Sequence, residues 1–233
     1  MSVNLFCLPY AGGSKYSLFF LKKVLPKNIE CHFLEYSGRG TRMHEPFANN
    51  INEIVEDLFL KIAPLLDKPY SIFGHSMGAT LTYLLALRIR KAGKPDPLHL
   101  FLSGTDAPSV RSNKPLRYLL PKNELIDVVK ELGGLPDEIL AHEEMLEFFE
   151  PILRADFRVL EMYKYEPSLP LQVPFTVMVG NKEDMEEKDI LKWQTESSVP
   201  LKLFKFSGNH FFILTHQKEI GKVIESRLFR QYH

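Results

Sequence analysis

A serine stands between two glycines in the stretch YSIFGHSMGAT, which spans residues 70–80. The pattern is G-x-S-x-G, with Gly74, Ser76 and Gly78 at its fixed positions. A serine in this pattern acts as a nucleophile when it occupies a sharp turn between a strand and a helix. Because Gly and Ser are common residues, the pattern arises by chance in about one in ten chains of this length. Its meaning therefore depends on what the rest of the sequence places around Ser76.

A serine hydroxyl becomes an effective nucleophile only when a nearby base takes its proton. Where the nucleophile follows a strand in this way, the order along the chain is serine, acid, histidine. His210 lies in SGNHFFIL, directly after an apolar run, and is the expected base. Glu183 and Asp184 follow the preceding apolar run in VGNKED. We prefer Asp184 as the acid, because a short carboxylate side chain usually orients the imidazole, and Glu183 is the alternative.

Two backbone N–H groups are candidates for stabilising the negative charge that develops on a substrate carbonyl oxygen. Met77 follows the serine at the start of a predicted helix, so its N–H is expected to point toward the reacting carbonyl. The second donor is expected in the glycine-containing loop LPYAGGSKY, residues 8–16. There the N–H of Ala11 is the preferred donor, and that of its neighbour Tyr10 is the alternative.

These residue types predict acyl transfer in two steps. Ser76 attacks a carbonyl and forms an acyl-enzyme, and water then hydrolyses it while His210 moves the protons. The pattern leaves open whether the leaving group is an alcohol, a thiol or an amine. Motifs of other catalytic classes are absent from the sequence, namely H-E-x-x-H, C-x-x-C, G-x-x-x-x-G-K-[ST] and G-x-G-x-x-G after the first strand.

Short apolar runs alternate with longer segments of helical periodicity along most of the chain. Strands are predicted at 3–8, 29–36, 70–73, 98–104, 174–180 and 200–206, and helices at about 50–66, 79–93, 187–196 and 216–230. Strands joined by helices predict an α/β fold with a mostly parallel sheet that is flanked by helices.

Residues 105–170 interrupt this alternation, because they contain only helical patterns between two predicted strands. Roughly 65 residues is long for one connection, which favours a helical lid inserted over the carboxyl edge of the sheet, where such folds place their ligand crevice. Ordinary packing of the connection is the alternative. The prediction is one domain, residues 1–233, with the lid inserted within it.

The composition excludes several classes of protein. The 233 residues are 45% hydrophobic, and 29 basic residues balance 29 acidic ones, so the formal net charge is zero. A nucleic-acid partner would favour a basic excess. Neither a signal peptide nor an apolar run long enough to span a membrane is present, so a cytoplasmic protein without a membrane partner is expected. Cys7 and Cys31 are expected to be buried free thiols.

The motifs together resemble those of the type II thioesterases, stand-alone α/β-hydrolases that work beside nonribosomal peptide and polyketide synthases. The matching segments run along nearly the whole chain: LPYAGGS (8–14), EYSGRGTRMHEP (35–46), SIFGHSMGA (71–79), LPKNELIDVVKELGGLPDEIL (120–140), LRADFRVLEMYKY (153–165) and GNHFFIL (208–214). One departure is the pair Tyr36-Ser37, because the family usually has proline as the second residue of this pair. The family acid lies three residues after a glycine, which corresponds to Glu183 after Gly180, whereas Asp184 is one residue further.

The resemblance implies a substrate and a partner. The substrate is an acyl or aminoacyl group in thioester linkage to the phosphopantetheine arm of an acyl or peptidyl carrier protein, and the role is removal of wrong or stalled groups. No metal and no cofactor beyond the substrate's own phosphopantetheine is implied, and a monomer is expected.

Candidate substrate contacts follow from the same resemblance. Apolar lid residues are expected near the acyl chain, although they are equally suited to the core of the lid: Leu132, Leu135, Phe148 and Phe149. Tyr10 and His75 are further candidates because they neighbour the proposed oxyanion donors and the serine, although the x positions of the turn point away from the site in most such folds.

Two other functions compete with this interpretation. One is a general esterase, or an acyl-CoA or medium-chain fatty-acyl thioesterase, on the same scaffold. The other is a non-catalytic binding protein that keeps the fold, and the combination of Ser76, His210 and an acid argues against it.

Overall fold

Six strands form one sheet in the computed structural model, which describes residues 2–110, 115–134 and 142–229. The strands are β1 (Val3–Leu8), β2 (Ile29–Phe33), β3 (Tyr70–His75), β4 (Leu100–Ser103), β5 (Phe175–Gly180) and β6 (Lys202–Phe206). Their order is β2-β1-β3-β4-β5-β6, and each neighbouring pair is parallel. The predicted mostly parallel sheet is confirmed, as is the presence of each predicted strand, although β2 and β4 are each three residues shorter than expected.

Helices connect these strands. They are α1 (Phe20–Val24), α2 (Ile51–Ile62), α3 (Met77–Lys91), α4 (Lys122–Leu132), α5 (Glu143–Glu161), α6 (Glu187–Ile190), α7 (Phe212–Thr215) and α8 (Gln217–Phe229). In α2 the buried side chains recur at spacings of three and four, which places them on one face toward the sheet. Asn50 begins this helix, since its side chain accepts the N–H of Glu53 at 3.1 Å. In the described part of the chain, no helix has the length and apolar character needed to cross a membrane.

Each face of the sheet carries its own apolar core. Alternate residues of β1 divide between the two, with Phe6 and Leu8 in the core that includes α2 and α3. Leu5 and Cys7 belong to the core that includes α1 and α8. Because successive side chains of a strand point to opposite faces, β1 supplies apolar side chains to the cores on both sides of the sheet. Both cysteines are free thiols; Cys7 is buried as expected, whereas Cys31 is only half-buried.

Between β4 and β5 the described residues form helices and turns. We call the described part of residues 105–170 the β4–β5 segment. Its main helices α4 and α5 pack together through four buried side chains, Leu125, Val129, Leu153 and Phe157. Ala11, in the loop after β1, packs against this same cluster. The segment therefore lies against the carboxyl edge of the sheet, where the loop after β1 emerges.

Two leucines of α2 test this packing. Leu58 is fully buried, whereas Leu60, two residues along the same helix, is 64% exposed. We expect Leu58→Ala to lower the free energy of unfolding by about 2–5 kcal/mol, because it removes buried methyl groups and leaves a cavity. Leu60→Ala should change it by less than about 0.5 kcal/mol. Urea unfolding of both variants measures the difference, and equal losses would contradict the assigned inner face of α2.

Candidate active site

Ser76 lies at the junction between β3, which ends at His75, and α3, which begins at Met77. Its backbone has φ 56° and ψ −118°. Among the described residues it is the only non-glycine residue with positive φ. Its N–H donates to the carbonyl oxygen of Ser103, at the end of β4, at 2.7 Å. The predicted strand–serine–helix context is confirmed, and the strained backbone is typical of a nucleophile held at such a turn.

The two glycines of the pattern are required by close backbone contacts. A Cβ atom on Gly74 would lie 2.0 Å from the carbonyl oxygen of Gly78. A Cβ atom on Gly78 would lie 2.1 Å from the carbonyl oxygen of Leu8, at the end of β1. Any side chain at either position would force α3 away from the sheet and move Ser76 with it.

His210 lies in the loop after β6 and is held by a carboxylate. Its Nδ1 is 2.6 Å from Oε2 of Glu183. The other carboxylate oxygen, Oε1, accepts the N–H of Gly180 at 2.7 Å. The Glu183 side chain is 5% exposed, so this carboxylate sits in a largely desolvated position where its hydrogen bonds are strong. The pair orients the imidazole and is suited to stabilise an imidazolium.

The preferred acid of the sequence analysis, Asp184, is therefore replaced by its alternative, Glu183. Residues 180–183 form a turn in which the N–H of Glu183 donates to the carbonyl oxygen of Gly180 at 3.2 Å. This turn directs Glu183 back toward the histidine loop, while Asp184 is exposed. Side-chain length was the wrong criterion, because the turn decides which residue faces the imidazole. The three-residue spacing after Gly180 was the better signal.

The carboxyl ends of three strands bring the serine and the histidine into one region. The ring centroids of His210 and His75, the residue before Ser76, are 4.9 Å apart. Gly104, just after β4, borders both rings, since a Cβ atom there would lie 2.6 Å from Cε1 of His75 and 3.3 Å from Cε1 of His210. The described residues show no hydrogen bond between Ser76 Oγ and the imidazole. In unliganded sites such catalytic hydrogen bonds are often long and shorten when substrate binds.

His75 lies beneath the site and is fully buried. Its Nδ1 is 2.9 Å from Oγ of Ser103. Burial, and next the nearby His210, hold the pKa of His75 well below its usual value, so the ring is neutral near pH 7. His75 has no exposed surface in this structure, so its proposed contact with substrate stays a prediction. The His75 ring supports the His210 ring from below.

Both proposed oxyanion donors have free N–H groups. The N–H of Met77 and that of Ala11 donate no hydrogen bond to any described residue, and the same holds for Tyr10. The N–H of Met77 has no acceptor because it lies in the first turn of α3, where backbone N–H groups have no partner within the helix. Backbone N–H groups of α3 and of the loop after β1 are therefore available as donors.

The remaining described candidates for substrate contact lie on the loop after β1 and in the β4–β5 segment. The Tyr10 ring centroid is 4.7 Å from that of Phe211, the residue after His210. Leu132 is half-buried at the end of α4, which reaches the histidine loop, since a Cβ atom on Gly134 would lie 2.9 Å from the Phe211 ring. Phe149 packs on the cluster between α4 and α5, whereas Phe148 is 51% exposed. Leu135 lies outside the described residues.

One buried ion pair beside the site was not anticipated from the sequence. Arg39 and Asp156 pair through both guanidinium N–H groups, and Asp156 Oδ2 also accepts the N–H of Gly12 at 2.8 Å. Both residues belong to motifs, G-R-G and R-A-D, that the sequence analysis used only for the resemblance. Among the described residues, no group of three or more His, Cys, Asp or Glu side chains is placed to hold a metal ion.

Known proteins are similar to this chain along nearly its whole length. Residues 3–228 match the family model described as "Thioesterase domain". Gramicidin S biosynthesis protein GrsT of Aneurinibacillus migulanus is 33% identical over 219 residues, which cover 94% of this chain and 86% of that protein. The medium-chain S-acyl fatty acid synthase thioesterase of Rattus norvegicus is 31% identical over 223 residues, which cover 93% of this chain and 83% of that protein.

A solved structure shows the same fold over the whole length. ClbQ from the colibactin NRPS/PKS pathway is 28% identical and superposes with a TM-score of 0.93, covering 98% of this chain and 97% of its own. The likeness confirms the predicted α/β-hydrolase fold. With a family model that matches nearly the entire chain and a relative at 33% identity, the protein belongs to the thioesterase family.

Proposed function

We propose that this thioesterase hydrolyses acyl or aminoacyl groups from the phosphopantetheine arm of carrier proteins in nonribosomal peptide or polyketide synthesis. Membership of the family gives the reaction class, hydrolysis of a thioester. The observation that carries the proposal is the strained Ser76 beside the Glu183–His210 pair. The carrier-protein substrate is supported by the relatives, since GrsT belongs to gramicidin S biosynthesis and ClbQ to the colibactin NRPS/PKS pathway.

The first step of the proposed mechanism forms an acyl-enzyme. Ser76 Oγ attacks the thioester carbonyl carbon, and His210 takes the serine proton on Nε2 while Nδ1 stays bonded to Glu183. The N–H groups of Met77 and Ala11 donate to the carbonyl oxygen as it becomes negatively charged. The carbon–sulfur bond then breaks, and the sulfur of phosphopantetheine receives the proton from His210.

The second step releases the acid. Water enters, His210 removes one of its protons, and the resulting hydroxide attacks the acyl carbon. The bond to Ser76 Oγ breaks, the serine regains its proton from His210, and a free carboxylic acid leaves. The products are the acid and a carrier protein with a free thiol, and the enzyme supplies no cofactor. In this proposal it acts as a monomer.

The β4–β5 segment is proposed to serve as the lid of this site. Its helix α5 touches the loop after β1, since a Cβ atom on Gly12 would lie 2.6 Å from Cδ2 of Leu153. The end of α4 touches the histidine loop on the other side. The segment therefore spans the region above Ser76. In this proposal Leu132 and Phe149 border the acyl chain, whereas Phe148 is 51% exposed.

Hydrolysis of one acyl group presented in two ways tests the substrate class. We expect acetyl on a phosphopantetheinylated carrier protein to be hydrolysed with a much higher kcat/KM than acetyl on free coenzyme A, because only the carrier adds protein contacts outside the acyl site. Release of the free thiol measures both rates. Equal values would remove the carrier protein from the proposal and leave a general thioesterase.

The Ser76→Ala variant is the control for this assay. It should fold like the parent and lose turnover by about 10³-fold or more, because the nucleophile is gone. A variant that kept the parent rate would contradict the acyl-enzyme mechanism itself, whichever substrate is preferred.

A paired substitution tests the acid. Glu183→Gln should lower kcat by about 10²- to 10⁴-fold, since an amide cannot stabilise the imidazolium as a carboxylate does. Asp184→Asn, one residue along, should change kcat by less than about threefold, because the side chain is exposed. Initial rates on the acyl-carrier substrate compare the two. A larger loss in Asp184→Asn would restore the preference drawn from the sequence.

Fatty-acyl hydrolysis is the second candidate function. The relative of Rattus norvegicus at 31% identity is a medium-chain S-acyl fatty acid synthase thioesterase. The two candidates differ in the acyl groups that they favour. A rate maximum at medium-length fatty acyl chains, measured on one carrier protein, would favour the second.

A further inference from the structure

The ion pair between Arg39 and Asp156 is almost completely enclosed. The two residues are 4% and 1% exposed, and Arg39 Nη2 donates to Asp156 Oδ1 at 2.6 Å. Removing two charges from water costs several kcal/mol per ion before pairing offsets it, so apolar side chains of similar volume often stabilise a fold as well. Stability alone therefore does not explain this pair. The other group that the Asp156 carboxylate binds indicates a further role.

Asp156 reaches beyond Arg39 to the loop after β1. Its Oδ2 accepts the N–H of Gly12 at 2.8 Å. Gly12 directly follows Ala11, the proposed oxyanion donor, and has φ +77°. Glycine has the widest backbone freedom of any residue. The hydrogen bond to Asp156 thus fixes one peptide group at the point where the loop would otherwise rotate most easily.

The same loop is held at two further positions. The hydroxyl of Tyr36 donates to the carbonyl oxygen of Pro9 at 2.8 Å. The N–H of Lys15 donates to Oε1 of Glu35 at 2.9 Å. Tyr36 and Glu35 precede Arg39 by only a few residues, so the segment 35–39 and Asp156 together hold the loop. Ala11 lies between the anchors at Pro9 and Gly12.

Charge explains why the acceptor is an arginine-paired carboxylate. A carboxylate is a stronger acceptor for a backbone N–H than a neutral group. An unpaired negative charge near a developing oxyanion would, however, oppose its formation. The guanidinium of Arg39 neutralises Asp156 and keeps its two oxygens in a fixed plane through two N–H bonds.

We infer that Asp156, oriented by Arg39, is a positioning residue that holds the Gly12 N–H and thereby keeps the neighbouring Ala11 N–H directed at the substrate carbonyl oxygen. It does not touch the substrate. The inference rests on the proposed function, in which Ala11 is an oxyanion donor. A donor that is present but misdirected loses part of its effect, because oxyanion stabilisation depends on distances of 2.7–3.1 Å.

Three variants test this role. Asp156→Asn removes the charged acceptor, and Arg39→Lys keeps the positive charge but loses the two-pronged contact. Glu161→Gln is the matched control, since Glu161 lies on the same helix α5 and pairs with Arg117 at 2.6 Å. Each is assayed for kcat and KM on the acyl thioester that the parent hydrolyses. Each is also titrated with an acyl trifluoromethyl ketone, which forms an oxyanion adduct with the serine, and with the corresponding unreactive acyl amide.

The expected result separates positioning from folding. Asp156→Asn should lower kcat by about 10- to 100-fold, a part of the 10²- to 10³-fold loss seen when one oxyanion donor is removed. The affinity for the trifluoromethyl ketone should fall by a similar factor, while KM and the affinity for the amide change by less than about threefold. Glu161→Gln should match the parent in all four quantities.

Two results would overturn the inference. One is a folded Asp156→Asn protein with the parent's kcat and trifluoromethyl ketone affinity, even if its melting temperature is lower. The other result applies if Asp156→Asn does not fold. In that case Arg39→Lys should still lower kcat and the affinity for the trifluoromethyl ketone together by about 3- to 10-fold. Parent values of both quantities in Arg39→Lys would overturn the inference. Failure of the proposed function is distinguishable, because it is read from equal hydrolysis of the carrier-bound and coenzyme A-bound acyl group, and failure of the mechanism is read from Ser76→Ala.

Discussion

The close contact between the backbones of Gly74 and Gly78 is the constraint on which the site depends. It lets the first turn of α3 rest directly on the end of β3, and Gly78 rests in turn on Leu8 of β1. At this junction Ser76 adopts a positive φ. The strained backbone thus accompanies the close packing of a helix on a sheet. The N–H of Met77, in the first turn of that helix, has no partner among the described residues.

The remaining groups are positioned by the parallel sheet. In such a sheet all strands end at one edge, so the loops after β1, β3, β5 and β6 meet although they are far apart in sequence. Two glycines make close contacts beside the acid and the base. Gly180 lies against the histidine loop, where a Cβ atom would be 2.4 Å from the carbonyl oxygen of Asn209, and Gly104 lies against the rings of His75 and His210. Small residues at strand ends thus bring the acid and the base within hydrogen-bonding distance.

The sequence predicted the parts that depend on local pattern. Apolar runs located the strands, and position after a strand located Ser76 and His210. The acid was assigned to Asp184 because the choice between adjacent carboxylates depends on a turn, which a local pattern does not show. The full burial of His75 beneath the site leaves no mark in a G-x-S-x-G pattern. The Arg39–Asp156 pair was not found because its partners are 117 residues apart, on a loop and a helix.

The attachment of Gly12 to α5 has a consequence for selectivity. In the proposed mechanism, Asp156 holds the loop after β1 and belongs to α5 of the proposed lid. A movement of α5 would therefore also move the loop that carries the Ala11 N–H. An acyl group bulky enough to push α5 outward also pulls on the donor that must stabilise its own transition state. Such a substrate is bound but turned over slowly. In this proposal the size of the acyl group changes kcat more than KM. A compact acyl group is then removed fastest.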